Sequence, residues 1–356
     1  MAGAASAAGV QDRDPGPLPG GRQRPSGAGG PDGGPVRPYG GGELGDGPRF
    51  DASVPPTGYV WWYVDALSDD GAYGLSIILF IGSVFSPYYA FARGRGNADP
   101  RNHVSINVAL YGPAHRRWTM TERARPALAT SADTLKIGTS AARWDDDCLT
   151  IDIDETAVPF PRRVKGRVRV WPEAITGRHF ELDPGRRHRW WPIAPRARVE
   201  VELNQPGFAW RGHGYLDSNE GDEPVDGAFD TWSWSRAHMP DGLAALLYDP
   251  IYPDGERRSL ALRIDRQGAI EPFEAPATAV LPRTKWMIGR ETRTDRPDEV
   301  AVLETLEDTP FYARSMVATR LLGQSATAVH ESLSVTRYAS PVVKLMLPFR
   351  MPRRRR

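Results

Sequence analysis

The stretch RVEVELNQPGFAWRGHGYLD, residues 198–217, determines the fold class of this chain. Apolar and polar side chains alternate in RVEVELNQPG (198–207), and β-forming residues recur in FAWRGHGYLD (208–217). A period of two is typical of a strand with one buried face, and Pro-Gly between the segments is typical of a turn. The stretch therefore predicts two strands joined by a turn.

The same pattern returns along most of the chain, whereas a helical period is limited to a short piece near 239–247. Many short strands at a spacing of about 8–12 residues indicate a sandwich or barrel. The sequence therefore predicts an all-β protein with two tandem barrel-like domains that meet near residue 222. The segments that carry the pattern are GYVWWYVDAL (58–67), HVSINVALYG (103–112), LTIDIDE (149–155), RVKGRVRVWP (163–172), TWSWSRAHM (231–239), LAALLYDPI (243–251), SLALRIDRQG (259–268), KWMIGRE (285–291), EVAVLETLED (299–308), ARSMVATRLLG (313–323) and AVHESLSVTRYA (328–339).

The segment AYGLSIILFIGSVFSPYYAFA (72–92) is apolar over the roughly 20 residues that a membrane-spanning helix needs. Gly74, Gly82 and Pro87 interrupt it, and Ile, Val, Phe and Tyr dominate its composition. These residue types favour strands. We therefore interpret the segment as a buried strand with a bend.

Both ends of the chain differ from its middle. Residues 1–48 consist mainly of Gly, Pro, Ala and Arg, lack the order of a secretory signal, and carry too little apolar surface to offset the entropy of folding. We expect a disordered leader at 1–48, barrel domains at 49–222 and 223–343, and a basic tail at 344–356. The tail KLMLPFRMPRRRR is either a solvated end or a segment that contacts anionic lipid through apolar and basic side chains.

Composition and motifs exclude several function classes. Lys and Arg number 45 against 44 Asp and Glu, which predicts no general attraction to nucleic acid. A single cysteine, Cys148, excludes a disulfide framework and is typical of a small buried residue in a reducing compartment. No dinucleotide, P-loop, zinc-protease or serine-hydrolase motif occurs, and the seven histidines lack metal-ligand spacing. We expect neither a metal nor a cofactor.

Two short motifs combine proton-carrying and aromatic side chains. His188 and Trp190 are two residues apart, as are Tyr215 and Asp217, so each pair shares one face of an extended strand. If both faces point into one barrel, a carboxylic acid meets an imidazole, a phenol and an indole, which suits proton delivery to a weak base. Alternatively, the aromatic residues are core and Asp217 caps a turn. The acidic residues 220–223 are interpreted as a solvated turn between the barrels.

The chain resembles the carotenoid 1,2-hydratase family, also called hydroxyneurosporene synthase, over residues 49–353. The resemblance implies a cofactor-independent hydratase of photosynthetic bacteria that adds water across the terminal C1=C2 bond of acyclic carotenes such as neurosporene and lycopene. It also implies tandem lipocalin-like barrels. The matching segments are FDASVPPTGYVWWYVDALSDDG, GLSIILFIGSVFSPYYA, HRW, GHGYLD, DGAFDTWSWSRA and LPFRMPR.

By the same resemblance, the functional residues are His188, Trp190, Tyr215 and Asp217. Protonated Asp217 would donate to C2, the two aromatic residues would face the cation at C1, and water would lose its proton to His188 or back to Asp217.

Trp232 and Trp234 share a face if they are extended, and either line the polyene channel or belong to the core. The partners implied by the resemblance are an acyclic carotene, water and a membrane, bound peripherally on the cytoplasmic side of the inner or intracytoplasmic membrane. A barrel and aromatic residues alone would also fit a non-catalytic lipid carrier, and carboxylates beside Trp would also fit a glycosidase.

Overall fold

Antiparallel strands dominate the computed structural model, which describes residues 47–354 except 97 and 114. The predicted leader 1–48 lies outside the described residues apart from its last two. Helices within the described part are short: α1 Pro87–Gly94, α2 Val335–Ala339 and α3 Pro341–Met346, with 3-10 turns at Pro100–Asn102, Arg125–Ala127 and Leu347–Phe349.

The first sheet takes the order β22-β4-β3-β2-β1-β12-β11-β9-β8-β7-β6-β5, with β10 paired to β11. All its pairings are antiparallel except that of β22 with β4. Its strands are β1 Tyr59–Ser68, β2 Gly74–Ile81, β3 Val104–Tyr111, β4 Arg117–Arg123, β5 Leu128–Thr130, β6 Thr134–Ile137, β7 Ser140–Asp145, β8 Cys148–Thr156, β9 Arg163–Pro172, β10 Phe180–Glu181, β11 His188–Gln205, β12 Phe208–Gly221 and β22 Arg353–Arg354.

The second sheet takes the order β16-β15-β14-β13-β21-β20-β19, and β17 pairs with β18 in a small separate sheet. Both sheets belong to one compact unit. The division into domains at residue 222 stays a prediction. The strands are β13 Thr231–His238, β14 Ala244–Ile251, β15 Leu260–Ile264, β16 Ile270–Pro272, β17 Thr278–Leu281, β18 Arg290–Arg293, β19 Ala301–Asp308, β20 Tyr312–Leu321 and β21 Gln324–Ser334.

The predicted strand pair at 198–217 is confirmed, and both strands are longer than predicted. β11 begins at His188 and β12 continues to Gly221, so Asp217 lies inside a strand and does not cap a turn. The interpretation of Glu220 as solvated turn is wrong, because its carboxylate lies 2.5 Å from Nε of Arg189 and is largely buried. Buried pairing therefore extends β12 through residues whose charge suggested a loop.

The segment 72–92 is part strand and part helix. Gly74–Ile81 forms the predicted buried strand, but Pro87–Gly94 forms α1, so the prediction is wrong there. The Ser86 hydroxyl accepts the backbone N–H of Tyr88 at 3.1 Å, and Pro87 occupies the first turn. Ser followed by Pro is a helix-start signal that outweighs the β-forming residues after it. None of the helices in the described part of the chain combines the length and apolar character needed to cross a bilayer.

Three smaller predictions are also wrong. The short helical piece near 239–247 is a turn followed by β14. Only the last two residues of KWMIGRE (285–291) are in a strand, and residues 335–339 of AVHESLSVTRYA form α2. Residue propensities predict the ends of strands and helices poorly, because pairing with distant strands determines where these elements begin and end.

The tail is not a freely solvated end within the described residues. Leu347 and Met351 are buried, and β22 pairs with β4. Arg353 forms an ion pair with the buried carboxylate of Glu122. Residues 347–354 therefore form part of the folded structure.

The two faces of the first sheet pack against different partners. Val60, Trp62 and Leu216 on one face belong to a core that this curled sheet encloses by itself. Tyr215 and Trp190 on the other face pack in one cluster with residues of the second sheet. The expectation that Trp190 and Tyr215 point into a single barrel is therefore wrong. Segments such as GYVWWYVDAL are apolar on both faces, so a period of two does not identify which face the barrel encloses.

Charged residues join the two sheets across this cluster. Asp65 of β1 is fully buried, and its carboxylate accepts from Arg236 Nε of β13 at 2.7 Å and from Arg314 Nη2 of β20 at 2.8 Å. Burial alone would raise the pKa of Asp65, but the two guanidinium groups more than offset it and hold the pKa below its ordinary value. Asp65 is therefore an ionised carboxylate that links the sheets.

We expect Asp65→Asn to lower the free energy of unfolding by about 3–5 kcal/mol, because it leaves buried guanidinium charge uncompensated. The matched control is Asp69→Asn, in an ion pair with Arg198 whose side chains are both more than half exposed. The control should lose no more than about 1 kcal/mol. Urea unfolding of the three proteins measures both values, and equal losses would contradict a linking role for Asp65.

Candidate active site

The predicted site residues lie where β11 and β12 face the second sheet. Tyr215 and Asp217 alternate with Leu216, so both point away from the enclosed core of the first sheet. In the pairing of β12 with β1, Asp217 is opposite Tyr63. Trp190 is on β11, the other neighbour of β12. The sheet register therefore brings side chains from three adjacent strands together.

One oxygen of Asp217 is held by two hydrogen bonds. The Trp190 indole N–H and the Tyr215 hydroxyl each donate to Oδ2 at 2.8 Å. The other oxygen, Oδ1, is buried and has no hydrogen-bond partner among the residues that the structure describes. Asp217 also lines a cavity between the sheets. This arrangement fixes the carboxyl group and leaves Oδ1 available to carry a proton.

Burial raises the pKa of Asp217 to about 8. The hydrogen bonds from Trp190 and Tyr215 act in the opposite direction, whereas the nearby charges of Glu331 and Asp65 raise the pKa further. Burial also keeps the pKa of Tyr215 well above its ordinary value, so Tyr215 stays a neutral donor. Asp217 therefore holds a proton at neutral pH and can act as an acid.

The cavity measures about 290 Å³, and its lining is mostly apolar and aromatic. Trp232 and Trp234, the predicted substrate-binding residues, both line it. Trp286 and Met346 also line it while remaining 44% and 39% exposed, so the cavity opens to the surface beside them. The apolar lining suits a hydrocarbon ligand, and only a few polar side chains of the lining could react with it.

His188 lies apart from the other three predicted residues. It is buried, its Nδ1 is 2.9 Å from the Tyr59 hydroxyl, and its Nε2 is 3.8 Å from Glu223 Oε1. Burial lowers the pKa of His188. In the described structure it neither contacts Asp217 nor lines the cavity. The structure therefore brings Trp190, Tyr215 and Asp217 together and leaves His188 at the start of β11.

Sequence reasoning missed Tyr63 and Glu331, which face the same cavity from β1 and β21. Tyr63 donates to Glu331 Oε1 at 2.8 Å. A signal for Glu331 was present, because Val329, Glu331 and Leu333 share one strand face and only Glu331 is charged. A carboxylate in an otherwise apolar row indicates a functional or paired position.

Comparison with known proteins identifies relatives over nearly the whole chain. Residues 77–356 match the family model described as carotenoid hydratase CrtC. An acyclic carotenoid 1,2-hydratase of Thiocapsa roseopersicina is 55% identical over 354 residues, which cover 99% of this chain and 87% of that protein. Another, of Rubrivivax gelatinosus, is 55% identical over 309 residues, covering 86% and 76% of the two chains.

Solved structures share the fold at low sequence identity. A protein of Nitrosomonas europaea described as an AttH has a TM-score of 0.56 and 17% identity, covering 78% of this chain and 92% of its own. The protein CghA has a TM-score of 0.52 and 12% identity, covering 80% and 90%. The predicted all-β, lipocalin-like fold is confirmed.

The close relatives also confirm the predicted enzyme class, a hydratase, over the lipid-carrier and glycosidase alternatives. More than half of the aligned positions are identical in two curated hydratases, and the family model covers most of the residues that form both sheets. The chain therefore belongs to the carotenoid hydratase family.

Proposed function

We propose that this hydratase adds water across the terminal C1=C2 double bond of an acyclic carotene such as neurosporene or lycopene, giving a 1-hydroxy carotenoid. The observation that carries the proposal is the buried Asp217 carboxyl group, which Trp190 and Tyr215 hold in an aromatic cavity and whose raised pKa suits proton donation. The names of the two relatives, acyclic carotenoid 1,2-hydratase, support the same substrate class. Neither a metal nor a nucleotide enters the proposed reaction, since Asp217 supplies the proton.

In the proposed first step, Asp217 transfers its proton from Oδ1 to C2. The positive charge then forms at C1, which carries two methyl groups and one chain carbon. Trp232, Trp234 and Tyr248 line the cavity and can face this charge. A desolvated cation–π contact stabilises a cation by about 2 kcal/mol. Water then attacks C1 and forms the tertiary alcohol.

Trp190 has a different task in this proposal from the one expected at first. Its indole N–H donates to Asp217, and its ring packs 5.3 Å from that of Tyr248 without lining the cavity. We assign it to holding the acid, together with Tyr215. The catalytic role of His188 stays a prediction. Its contact with Tyr59, whose ring stacks on the cavity residue Trp61 at 4.9 Å, supports an indirect effect on the cavity wall.

The size of the cavity supports binding of one end of the substrate. A volume of about 290 Å³ lies at the lower limit of ligand pockets, which suits an end group but not a whole carotene. The rest of the polyene would leave through the opening beside Trp286 and Met346. One C1=C2 bond would therefore react in each binding event.

We expect Asp217→Asn to bind carotene and to hydrate it at least 100-fold more slowly, because the amide keeps the shape but donates no acidic proton. Product analysis with lycopene, by chromatography and mass spectrometry, measures the rate. Asp152→Asn is the control, since Asp152 is an exposed aspartate of the same sheet, paired with Arg167. Unchanged turnover by the Asp217 variant would contradict the acid role.

The hydration rate should fall as the pH rises through about 8, where Asp217 loses its proton. The groups that act on Asp217 are Trp190 and Tyr215 by hydrogen bonds, and Asp65 and Glu331 by charge. Trp190→Phe removes a hydrogen bond that lowers the pKa of Asp217, so the falling limb should move to higher pH. A pH–rate profile of both proteins measures this shift. A limb that stays in place or moves to lower pH would contradict the assignment.

We also propose peripheral membrane association, through an entrance surface formed by Trp286, Val342, Leu345, Met346 and Phe349. All five are exposed, and Leu345 and Phe349 are each 75% exposed. Trp286 and Met346 also border the cavity opening. Lys344 and Arg350 lie in the same segment, and basic groups beside apolar ones suit an anionic bilayer, here on the cytoplasmic side. A lipid-dissolved substrate would then enter directly.

We expect Leu345→Ser/Phe349→Ser to reduce co-sedimentation with anionic phospholipid vesicles at least tenfold, because two apolar anchors are lost. These substitutions avoid residues 351 and 353, which are packed or paired. Phe160→Ser is the matched control, since Phe160 is 76% exposed and lies outside the entrance surface. Equal vesicle binding by all three proteins would contradict the proposed surface.

A further inference from the structure

A second carboxyl group, that of Glu331 on β21, faces the cavity that Asp217 lines. Its Oε1 accepts hydrogen bonds from the Tyr63 hydroxyl at 2.8 Å and from Arg314 Nη1. Its Oε2 has no hydrogen-bond partner in the described part of the chain, and 15% of the side chain remains exposed. Glu331 therefore has one anchored oxygen and one available oxygen, as Asp217 does.

Glu331 and Asp217 have different hydrogen-bond donors: a charged guanidinium group contacts Glu331, whereas only neutral groups contact Asp217. Arg314 is buried and forms ion pairs with Asp65 and Glu331, while Arg236 is buried against Asp65. The two positive charges of Arg236 and Arg314 are thus neutralised by the two negative charges of Asp65 and Glu331. Asp217 accepts only neutral donors. One cavity thus contains a carboxylic acid and a salt-bridged carboxylate, the combination that acid–base catalysis uses.

Tyr63 lies between the two groups. It is opposite Asp217 in the strand pairing, and its hydroxyl donates to Glu331. Its ring lies 5.7 Å from that of Trp234, and Trp234 is opposite Glu331 in the pairing of β13 with β21. The charge of Glu331 also contributes to the raised pKa of Asp217. Both carboxyl groups therefore line one cavity and are related through Tyr63.

We propose that Glu331 is the base that takes the proton from the attacking water, an inference that rests on the proposed hydration. Asp217 gives H⁺ to C2, and the π electrons form the new C–H bond. A lone pair of the water oxygen forms the C1–O bond, and one water proton passes to Oε2 of Glu331. Exchange with water through the cavity opening then deprotonates Glu331 and reprotonates Asp217. The sum is one alkene plus one water giving one alcohol.

Two other candidates fit this role less well. Glu307 also lines the cavity, but burial raises its pKa, and its Oε2 accepts from the Tyr111 hydroxyl at 3.0 Å. No guanidinium is within ion-pair distance of Glu307 in the described residues. His188 does not reach the cavity. Among the carboxylates that line the cavity in the described residues, Glu331 alone combines a salt bridge with an oxygen that has no hydrogen-bond partner.

The experiment measures hydration and hydrogen exchange together, with lycopene in D₂O. Glu331→Gln keeps an oxygen that can accept from Tyr63 and Arg314 but removes the base. We expect hydration to fall at least 100-fold. Deuteration of unreacted lycopene should persist, because Asp217 still delivers D⁺ to C2. When the cation then loses the original hydrogen of C2 to Asp217, lycopene is recovered with deuterium at C2. Mass spectrometry of recovered lycopene and product separates the two rates.

The controls separate this inference from the proposed function. Asp217→Asn should lose both hydration and deuteration, and Glu304→Gln, in an exposed ion pair with Arg116, should lose neither. Wild-type protein that leaves lycopene unhydrated would overturn the proposed function itself. If the wild type hydrates lycopene and the Glu331→Gln variant does so within threefold of its rate, only the role of Glu331 is overturned. The same conclusion follows if this variant loses hydration and deuteration in parallel while its melting temperature is unchanged.

Glu331→Asp provides a second variant if the glutamine protein does not fold. It keeps the charge opposite Arg314 but withdraws the carboxylate from the cavity by one methylene group. We expect hydration to fall at least tenfold while deuteration of recovered lycopene is retained. Wild-type rates of hydration in this variant would overturn the proposal.

Discussion

The arrangement of the two sheets depends on the ion pairs that Asp65 makes with Arg236 and Arg314. Most of the surface between the sheets is apolar or aromatic, and such surfaces can pack in several positions at similar free energy. Three buried charged groups tolerate far less displacement, because an unpaired buried charge costs several kcal/mol. The pairs therefore determine where Trp234 and Glu331 of the second sheet lie relative to Asp217 of the first.

The residues packed between the two sheets show how neighbouring groups determine the pKa of a carboxyl group. Asp65 and Asp217 lie on adjacent strands, β1 and β12, on the same face, and both are buried. Two guanidinium groups hold the pKa of Asp65 below its ordinary value, whereas burial raises the pKa of Asp217 to about 8 because its two neutral donors do not offset it. One aspartate consequently serves structure, and the other is suited to acid catalysis.

Much of this could be predicted from the sequence, and the exceptions have physical causes. Alternation identified the strands around 198–217 and placed Tyr215 and Asp217 on one face. It did not identify the face, because Val64 and Tyr63 are both apolar enough to be buried. The charge of Glu331 in an otherwise apolar strand face was a local signal, but the cavity that it faces was not predictable, since that depends on the pairing of strands far apart in the chain. Helix α1 was missed because β-forming residues concealed the Ser-Pro start signal.

The raised pKa of Asp217 links folding to proton uptake. An unfolded aspartate has a pKa near 3.8, so between that value and about 8 the folded chain binds a proton that the unfolded chain does not. This contribution to stability is complete below the unfolded pKa and is lost as the pH rises through the folded one. The stability that proton binding adds is therefore exhausted near the same pH, about 8, at which the reactive proton is lost.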